Sequence, residues 1–112
     1  MKRYGSVIRL RPDKIDEYRK LHAAAWPAVL RQITACNIHN YSIFLRRLED
    51  GRHYLFGYFE YVGNDFAADM AKMAADPVTQ EWWAHCKPCQ EPLSDREPEE
   101  WWAGMTEVFH WD

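Results

Sequence analysis

The sequence lacks the features that mark several large classes of protein. Its five glycines are scattered and form neither a phosphate-binding loop nor a Gly-x-Ser-x-Gly nucleophile elbow. No apolar run approaches the roughly 20 residues that span a bilayer. Basic residues are not in excess, because 14 Lys and Arg face 17 Asp and Glu and give a formal net charge of −3. We therefore expect neither a nucleic-acid nor a membrane partner.

Cysteine is also scarce. Three cysteines cannot all pair with one another, and the N-terminus has no apolar signal segment, so we expect reduced thiols in the cytoplasm. Cys36 with His39 and Cys86 with Cys89 supply the four ligand types of a zinc site. These pairs lie far apart, in a helix end and in a proline-containing loop, so a metal is the less favoured interpretation.

Aromatic residues, in contrast, are abundant. The chain has 112 residues, which fits a single domain over 1–112, and contains six Trp, six Tyr and five Phe. This aromatic content exceeds what a small core requires, so part of it is expected to line a pocket or an interface.

The N-terminal third predicts a strand followed by a broken helix. Residues 3–10 alternate as a half-buried strand does. Pro12 suits the first turn of a helix, and Pro27 interrupts that helix after Trp26, with a second helix reaching Ala35. The predicted buried faces are Ile15, Tyr18, His22 and Ala25 in the first helix, and Val29, Leu30 and Ile33 in the second.

The rest of the chain predicts a hairpin, two helices and a last strand. Residues 38–48 and 52–61 flank Asp50-Gly51, a strong hairpin signal. Two helices follow, one capped by Asp65 and one by Asp76. The sequence further predicts a buried stripe of Phe66, Met70 and Met73, a loop over 87–100 and a final strand over 105–111.

This order of strand, helix, two strands, helix and strand is the ferredoxin-like α+β pattern, with an antiparallel sheet and helices on one face. The other sheet face needs a cover. A second copy of the chain is the simplest one, so we expect a homodimer of the dimeric α+β barrel type.

Two aromatic groupings could carry chemistry. Tyr18 and His22 are four residues apart on one helix face, where a phenol and an imidazole can bind a hydroxylated ligand and move a proton. Simple packing of the helix explains the same spacing and is the more ordinary interpretation. Strand alternation places Tyr41 with His39 and Ile43 on one sheet face, from which Tyr41 could meet that pair, or act as an ordinary strand tyrosine.

Adjacent tryptophans form the second grouping. Trp82 and Trp83 point about 100° apart on a helix, so they cannot occupy the same slot. Their flat faces suit the apolar face of a sugar ring, and they suit an interface equally well. Trp101 and Trp102 repeat the pattern, and for them core packing or a dimer contact is the favoured interpretation.

Taken together, these residues resemble the L-rhamnose mutarotase family. The resemblance runs over nearly the whole chain and is carried, in order, by Tyr18 to His22, Trp26-Pro27, His39-Asn40-Tyr41, Trp82-Trp83 and Glu107 to His110. It implies a ferredoxin-like homodimer that interconverts the α and β anomers of a 6-deoxy-L-sugar, without a metal or organic cofactor.

The resemblance also implies roles for individual residues. His22 stands at the position of the family's proton donor. The family's sugar-contacting positions correspond to Tyr18, Tyr41, Trp82 and Trp83. L-Rhamnose is the expected substrate and L-fucose the closest competitor. A non-catalytic ligand-binding module and a monooxygenase-like enzyme with the same type of dimer remain as alternatives, since one fold serves many functions.

Overall fold

The computed structural model describes residues 1–112. Its strands and helices are, in chain order, β1 (Lys2–Leu10), α1 (Ile15–Ala23), α2 (Pro27–Ala35), β2 (Ile38–Arg47), β3 (His53–Tyr61), α3 (Phe66–Ala75), α4 (Pro77–Cys86), β4 (Gln90–Glu91) and β5 (Ala103–Met105). A 3₁₀ turn, Pro12–Lys14, precedes α1, and another, Lys87–Cys89, follows α4. None of the helices has the length and apolar character needed to cross a membrane.

All strands pair antiparallel around β1. The sheet order is β2-β3-β1-β4, and β5 also pairs with β1. Strand β3 follows one edge of β1 over its whole length. On the other edge, β4 pairs with Arg9 and Leu10, while β5 pairs with Gly5, Ser6 and Val7. This arrangement confirms the predicted ferredoxin-like α+β class.

One face of the sheet carries the core. Ile8 lies opposite Leu55 in the register of β1 and β3, so both side chains point to the same side. These two residues and Leu10 are almost completely buried and pack with Tyr18 of α1 and Val29 of α2. The helices therefore cover this face, and any pocket between α1 and the sheet opens onto core side chains.

The local signals for helix ends are confirmed. Trp26 has extended backbone angles (φ −67°, ψ 129°), and α2 begins at the following Pro27. The Asp65 side chain accepts a hydrogen bond from the backbone N–H of Ala68, and Asp76 accepts one from that of Thr79. These contacts satisfy N–H groups that a helix start leaves free.

Several burial and strand predictions are wrong. Leu30 was predicted to be buried but is 51% exposed. It follows the buried Val29, and consecutive residues of a helix point about 100° apart. The stripe of Phe66, Met70 and Met73 is only half-buried. The predicted loop over 87–100 contains the short strand β4, whose two residues exist as a strand only through their pairing with β1.

The last strand also differs from its prediction. Strand β5 ends at Met105, and residues 106–112 have no regular structure. Arg3 and Glu107 still form an ion pair at 2.7 Å, so the tail runs beside the start of β1 without extending the ladder. Its apolar side chains Val108, Phe109 and Trp111 are more than 80% exposed, since one chain offers them no surface on which to pack.

A β-bulge in β2 corrects the predicted strand faces. His39 lies opposite Glu60 and Ser42 opposite Tyr58, so two residues of β2 face one residue of β3 and β2 has one extra residue. Asn40 accommodates the bulge with a positive φ of 49°. As a result, His39 shares a face with Ser42 and not with Tyr41, whose ring contacts Phe59 instead.

Candidate active site

A cavity of about 440 Å³ lies between α1 and the sheet, within the range of small-ligand sites. It is lined by Leu10, Tyr18, Arg19, His22, Ala23, Ile43, Leu45 and Leu55. Its floor is thus apolar sheet side chains, and its polar wall is one face of α1. A separate open groove beside Trp26 is lined by Glu17 and Lys20 and contains none of the predicted site residues.

The polar wall is a stack of aromatic rings. The rings of Tyr18 and His22 lie 4.1 Å apart between centroids with an interplanar angle of 28°. Trp82 of α4 approaches His22 edge-on at 5.2 Å, and Trp26 approaches Trp82 at 5.1 Å. The helical spacing of Tyr18 and His22 therefore does more than pack α1, because it brings an imidazole to the cavity between a phenol and an indole.

The tautomer of His22 follows from its single hydrogen bond. Its Nδ1 lies 2.8 Å from the backbone carbonyl oxygen of Tyr18. A carbonyl can only accept, so Nδ1 carries the proton and donates it. Nε2 is then the nitrogen that can take up or release a proton. Burial lowers the pKa of His22 below its usual value, and this hydrogen bond opposes the shift only in part.

The phenol groups of Tyr18 and Tyr41 are held neutral. Burial raises the pKa of Tyr18, while a hydrogen bond donated by Gln90 Nε2 at 3.1 Å opposes that change. Burial of its hydroxyl group likewise raises the pKa of Tyr41 to about 12, although 46% of the whole residue is exposed. The Cys86 thiol is close enough to add to both shifts. Both phenols can therefore donate or accept hydrogen bonds at neutral pH, but neither exchanges its proton readily.

The structure thus brings together most of the predicted site residues. Tyr18, His22 and Trp82 are in ring contact. Tyr41 is close enough for its charge to raise the pKa of Tyr18, but it does not line the cavity, and its ring contacts Phe59. Trp83 takes part in a different contact, because its ring lies 5.7 Å from the ammonium of Lys87.

Sequence analysis missed three residues of this neighbourhood. Gln90 sits in a segment rich in proline and charge, which is typical of a solvated loop. Trp26 was noted as the residue before a helix-breaking proline and as part of the family resemblance but was given no role in the site, and Trp101 was assigned to packing or a dimer contact. The composition shows six tryptophans, but no regular spacing connects Trp26 or Trp101 with Tyr18 or Trp82.

The alternative metal site does not form. No group of three or more His, Cys, Asp or Glu side chains comes together in the structure. All three cysteines are free and buried, and burial raises the pKa of the Cys86 thiol to about 12 and that of Cys89 to about 11. These thiols are consequently uncharged, which suits neither metal binding nor nucleophilic attack.

Solved structures with the same fold identify the class of protein. An L-rhamnose mutarotase from Formosa agariphila superposes over the whole chain with a TM-score of 0.74 at 19% identity. Tetracenomycin F2 cyclase from Streptomyces glaucescens gives a TM-score of 0.71 at 13% identity, with 100% of this chain and 98% of the cyclase covered. The domain therefore has the ferredoxin-like α+β fold of these two structures.

Sequence relatives identify the family. The family model for L-rhamnose mutarotase matches residues 3–111. L-rhamnose mutarotases from Oceanobacillus iheyensis and Bacillus subtilis are 38% and 36% identical over 112 residues, covering both chains completely. The chain belongs to the L-rhamnose mutarotase family, and it is an isomerase of the kind that interconverts sugar anomers.

The ionisation of His22 gives a first testable prediction. Because burial lowers the pKa of this imidazole, its ring should titrate with a midpoint below the usual value near 6.5 and be neutral at pH 7. Histidine ring NMR against pH measures the midpoint, and ¹⁵N shifts show whether Nδ1 carries the proton. His22→Asn removes the resonance and so assigns it. A midpoint above 6.5 would contradict the structural argument.

Proposed function

We propose that this chain interconverts the α and β anomers of L-rhamnose by acid–base opening and closing of the sugar ring, with His22 as the catalytic residue. The observation that carries the proposal is the state of His22. Its Nδ1 donates to the Tyr18 carbonyl oxygen, its ring lines a cavity of about 440 Å³, and burial lowers its pKa, which favours the neutral imidazole. A proton-transfer group that titrates near neutral pH is what ring opening requires.

The proton follows a closed cycle in this proposal. Nε2 of neutral His22 accepts the proton of the anomeric hydroxyl, and the resulting imidazolium donates it to the ring oxygen as the bond from that oxygen to C1 breaks. The open aldehyde rotates about its C1–C2 bond. Closure on the other face of the aldehyde reverses the two transfers and regenerates neutral His22. No electron is gained or lost and His22 ends in its starting form, so the cycle as written involves no redox cofactor.

Aromatic residues in and beside the cavity bind the sugar in this proposal. Tyr18 and Tyr41 hydrogen-bond sugar hydroxyls, since both phenols stay protonated. Trp82 and Trp83 enclose the ring and the C6 methyl group, as their family positions imply. The apolar side chains of Ile43, Leu45 and Leu55 that line the cavity also suit a 6-deoxy sugar, which carries a methyl group where other hexoses carry a hydroxymethyl.

Replacing the catalytic imidazole should nearly abolish the enzymatic rate. His22→Asn keeps a hydrogen-bonding side chain but cannot transfer protons, so we expect a loss of about 10²- to 10⁴-fold, the usual contribution of general acid–base catalysis. Saturation-transfer NMR between the anomeric protons of L-rhamnose measures the exchange rate. His85→Asn is the matched control, because His85 is exposed on α4 and does not line the cavity.

The same experiment separates the alternatives. Faster exchange with L-fucose than with L-rhamnose would reassign the substrate but keep the reaction. Sugar-dependent quenching of tryptophan fluorescence without any exchange would favour a non-catalytic binding module. An unchanged rate in His22→Asn would refute the assignment of this residue.

We also infer that the protein is a homodimer that covers the sheet face opposite the helices. The register places Val7, Phe44, Phe56 and Tyr58 on that face. Phe44 is 64% exposed. The tail residues Phe109 and Trp111 are also exposed, and they follow Glu107, which forms an ion pair with Arg3 at the start of β1. The same face carries charged residues such as Arg9 and Glu60, but exposed aromatic side chains on a sheet are normally covered in a soluble domain. A second copy presents the same face and so matches it in character.

A charge on this face should weaken the dimer. Phe44→Glu would place a carboxylate in the interface. We expect the mass of this variant, measured by light scattering at micromolar concentration, to shift from that of a dimer towards that of a monomer. Leu30→Glu is the control, because Leu30 is equally apolar and exposed but lies on α2 in the other layer. A wild-type monomer, or a Phe44→Glu variant as dimeric as the control, would refute the inferred interface.

The cytoplasm is the location that we infer for this activity. All three cysteines are free thiols, as is usual for proteins kept in a reducing compartment. Fractionation of the producing cells tests the location, and recovery of the protein outside the cytoplasmic fraction would contradict it.

A further inference from the structure

A buried amide joins the segment between β4 and β5 to the active site. Gln90 pairs with Leu10 in the sheet, so its side chain points to the helix-covered face. The residue is only 4% exposed. Its Nε2 lies 3.1 Å from the Tyr18 hydroxyl, and its Oε1 lies 2.8 Å from the indole Nε1 of Trp101.

The chemistry of these three groups fixes the direction of every hydrogen bond. An indole N–H can only donate, so the oxygen of the Gln90 amide must face Trp101. The NH₂ group must then face Tyr18, and it can only donate. The Tyr18 oxygen is therefore the acceptor, and the phenolic proton of Tyr18 is left free for another partner.

Trp101 itself is held in place from two sides. The Lys87 ammonium lies 5.5 Å from the Trp101 ring centroid and 5.7 Å from that of Trp83, so one cation bridges the two rings. Arg96 donates to the backbone oxygens of Glu100 and Leu93 at 2.8 and 3.1 Å, which braces the segment that leads to Trp101. The direction of the Gln90 amide is thus set by a segment outside the cavity.

We propose that Gln90, oriented by Trp101, is a positioning residue that makes Tyr18 a hydrogen-bond donor to the sugar. This inference deepens the proposed function and depends on it. It assigns a specificity role to the segment 92–102. A ligand that offers an acceptor oxygen to Tyr18 is favoured, while a ligand that needs to donate there leaves a buried hydroxyl without a partner.

Reversing the amide chemistry tests the proposal. In Gln90→Glu the carboxylate can accept from both Trp101 and Tyr18, which turns the Tyr18 proton away from the sugar. We expect KM for L-rhamnose to rise roughly 3- to 10-fold with little change in kcat, as for loss of one uncharged hydrogen bond made equally in ground and transition states. Gln80→Glu, an exposed glutamine on α4, is the matched control and should leave KM unchanged.

A double variant separates positioning from general stabilisation of the fold. If Gln90 acts through Tyr18, then Gln90→Glu should have no further effect on KM in a Tyr18→Phe background. Additive losses in the double variant, or an unchanged KM in Gln90→Glu, would overturn the proposal. Should Gln90→Glu fail to fold, Trp101→Phe probes the same chain of bonds, since it frees the amide to rotate and should raise KM in the same direction.

A sugar-free measurement distinguishes failure of this inference from failure of the proposed function. The indole N–H resonance of Trp101 should move downfield in Gln90→Glu, because a carboxylate is a stronger acceptor than an amide oxygen. An unmoved resonance would show that the bond is absent and would overturn the proposal whatever the activity. Absence of anomer exchange by the wild-type protein, with the resonance shift present, would refute the mutarotase function and the role of Gln90 in it.

Discussion

The two edges of β1 are the constraint on which the rest of the structure depends. One edge is fully occupied by β3, and the other is divided between β4 near Leu10 and β5 near Ser6. Because strand alternation is fixed by this pairing, the even-numbered residues of β1 must face the helices. The cavity floor and the position of Gln90 both follow from that single register.

His22 shows how the same core sets the chemistry. Packing a helix onto a sheet requires an apolar or aromatic face, and here that face includes an imidazole between Tyr18 and Trp82. Removing water from the ring favours its neutral form, and the helical carbonyl of Tyr18 selects one tautomer. Burial that stabilises the fold therefore also prepares a proton acceptor, with no nearby carboxylate required.

What could be predicted from the sequence was largely local. Pro27 and Asp76 act on their own helix ends, and Asp50-Gly51 joins adjacent strands, so short segments contain the whole signal. Strands β4 and β5 are too short to have a pattern of their own and exist only by pairing with β1. Gln90 escaped notice for the same reason, since its partners Tyr18 and Trp101 are 72 and 11 residues away. Likewise, the bulge at Asn40 defeats simple alternation around Tyr41.

The shared edge of β1 has a consequence for how this domain can evolve. Strands β4 and β5 pair with the same edge of β1, and the segment between them leaves the sheet and returns to that edge. The length of this segment therefore does not affect the positions of the other strands and helices. Insertions and deletions there leave the sheet register intact. Yet this segment contains Trp101, and Gln90 alone connects Trp101 to Tyr18 by hydrogen bonds. Natural variation in this region can thus alter what surrounds Tyr18 while the stacked rings of Tyr18 and His22 on α1 stay as they are.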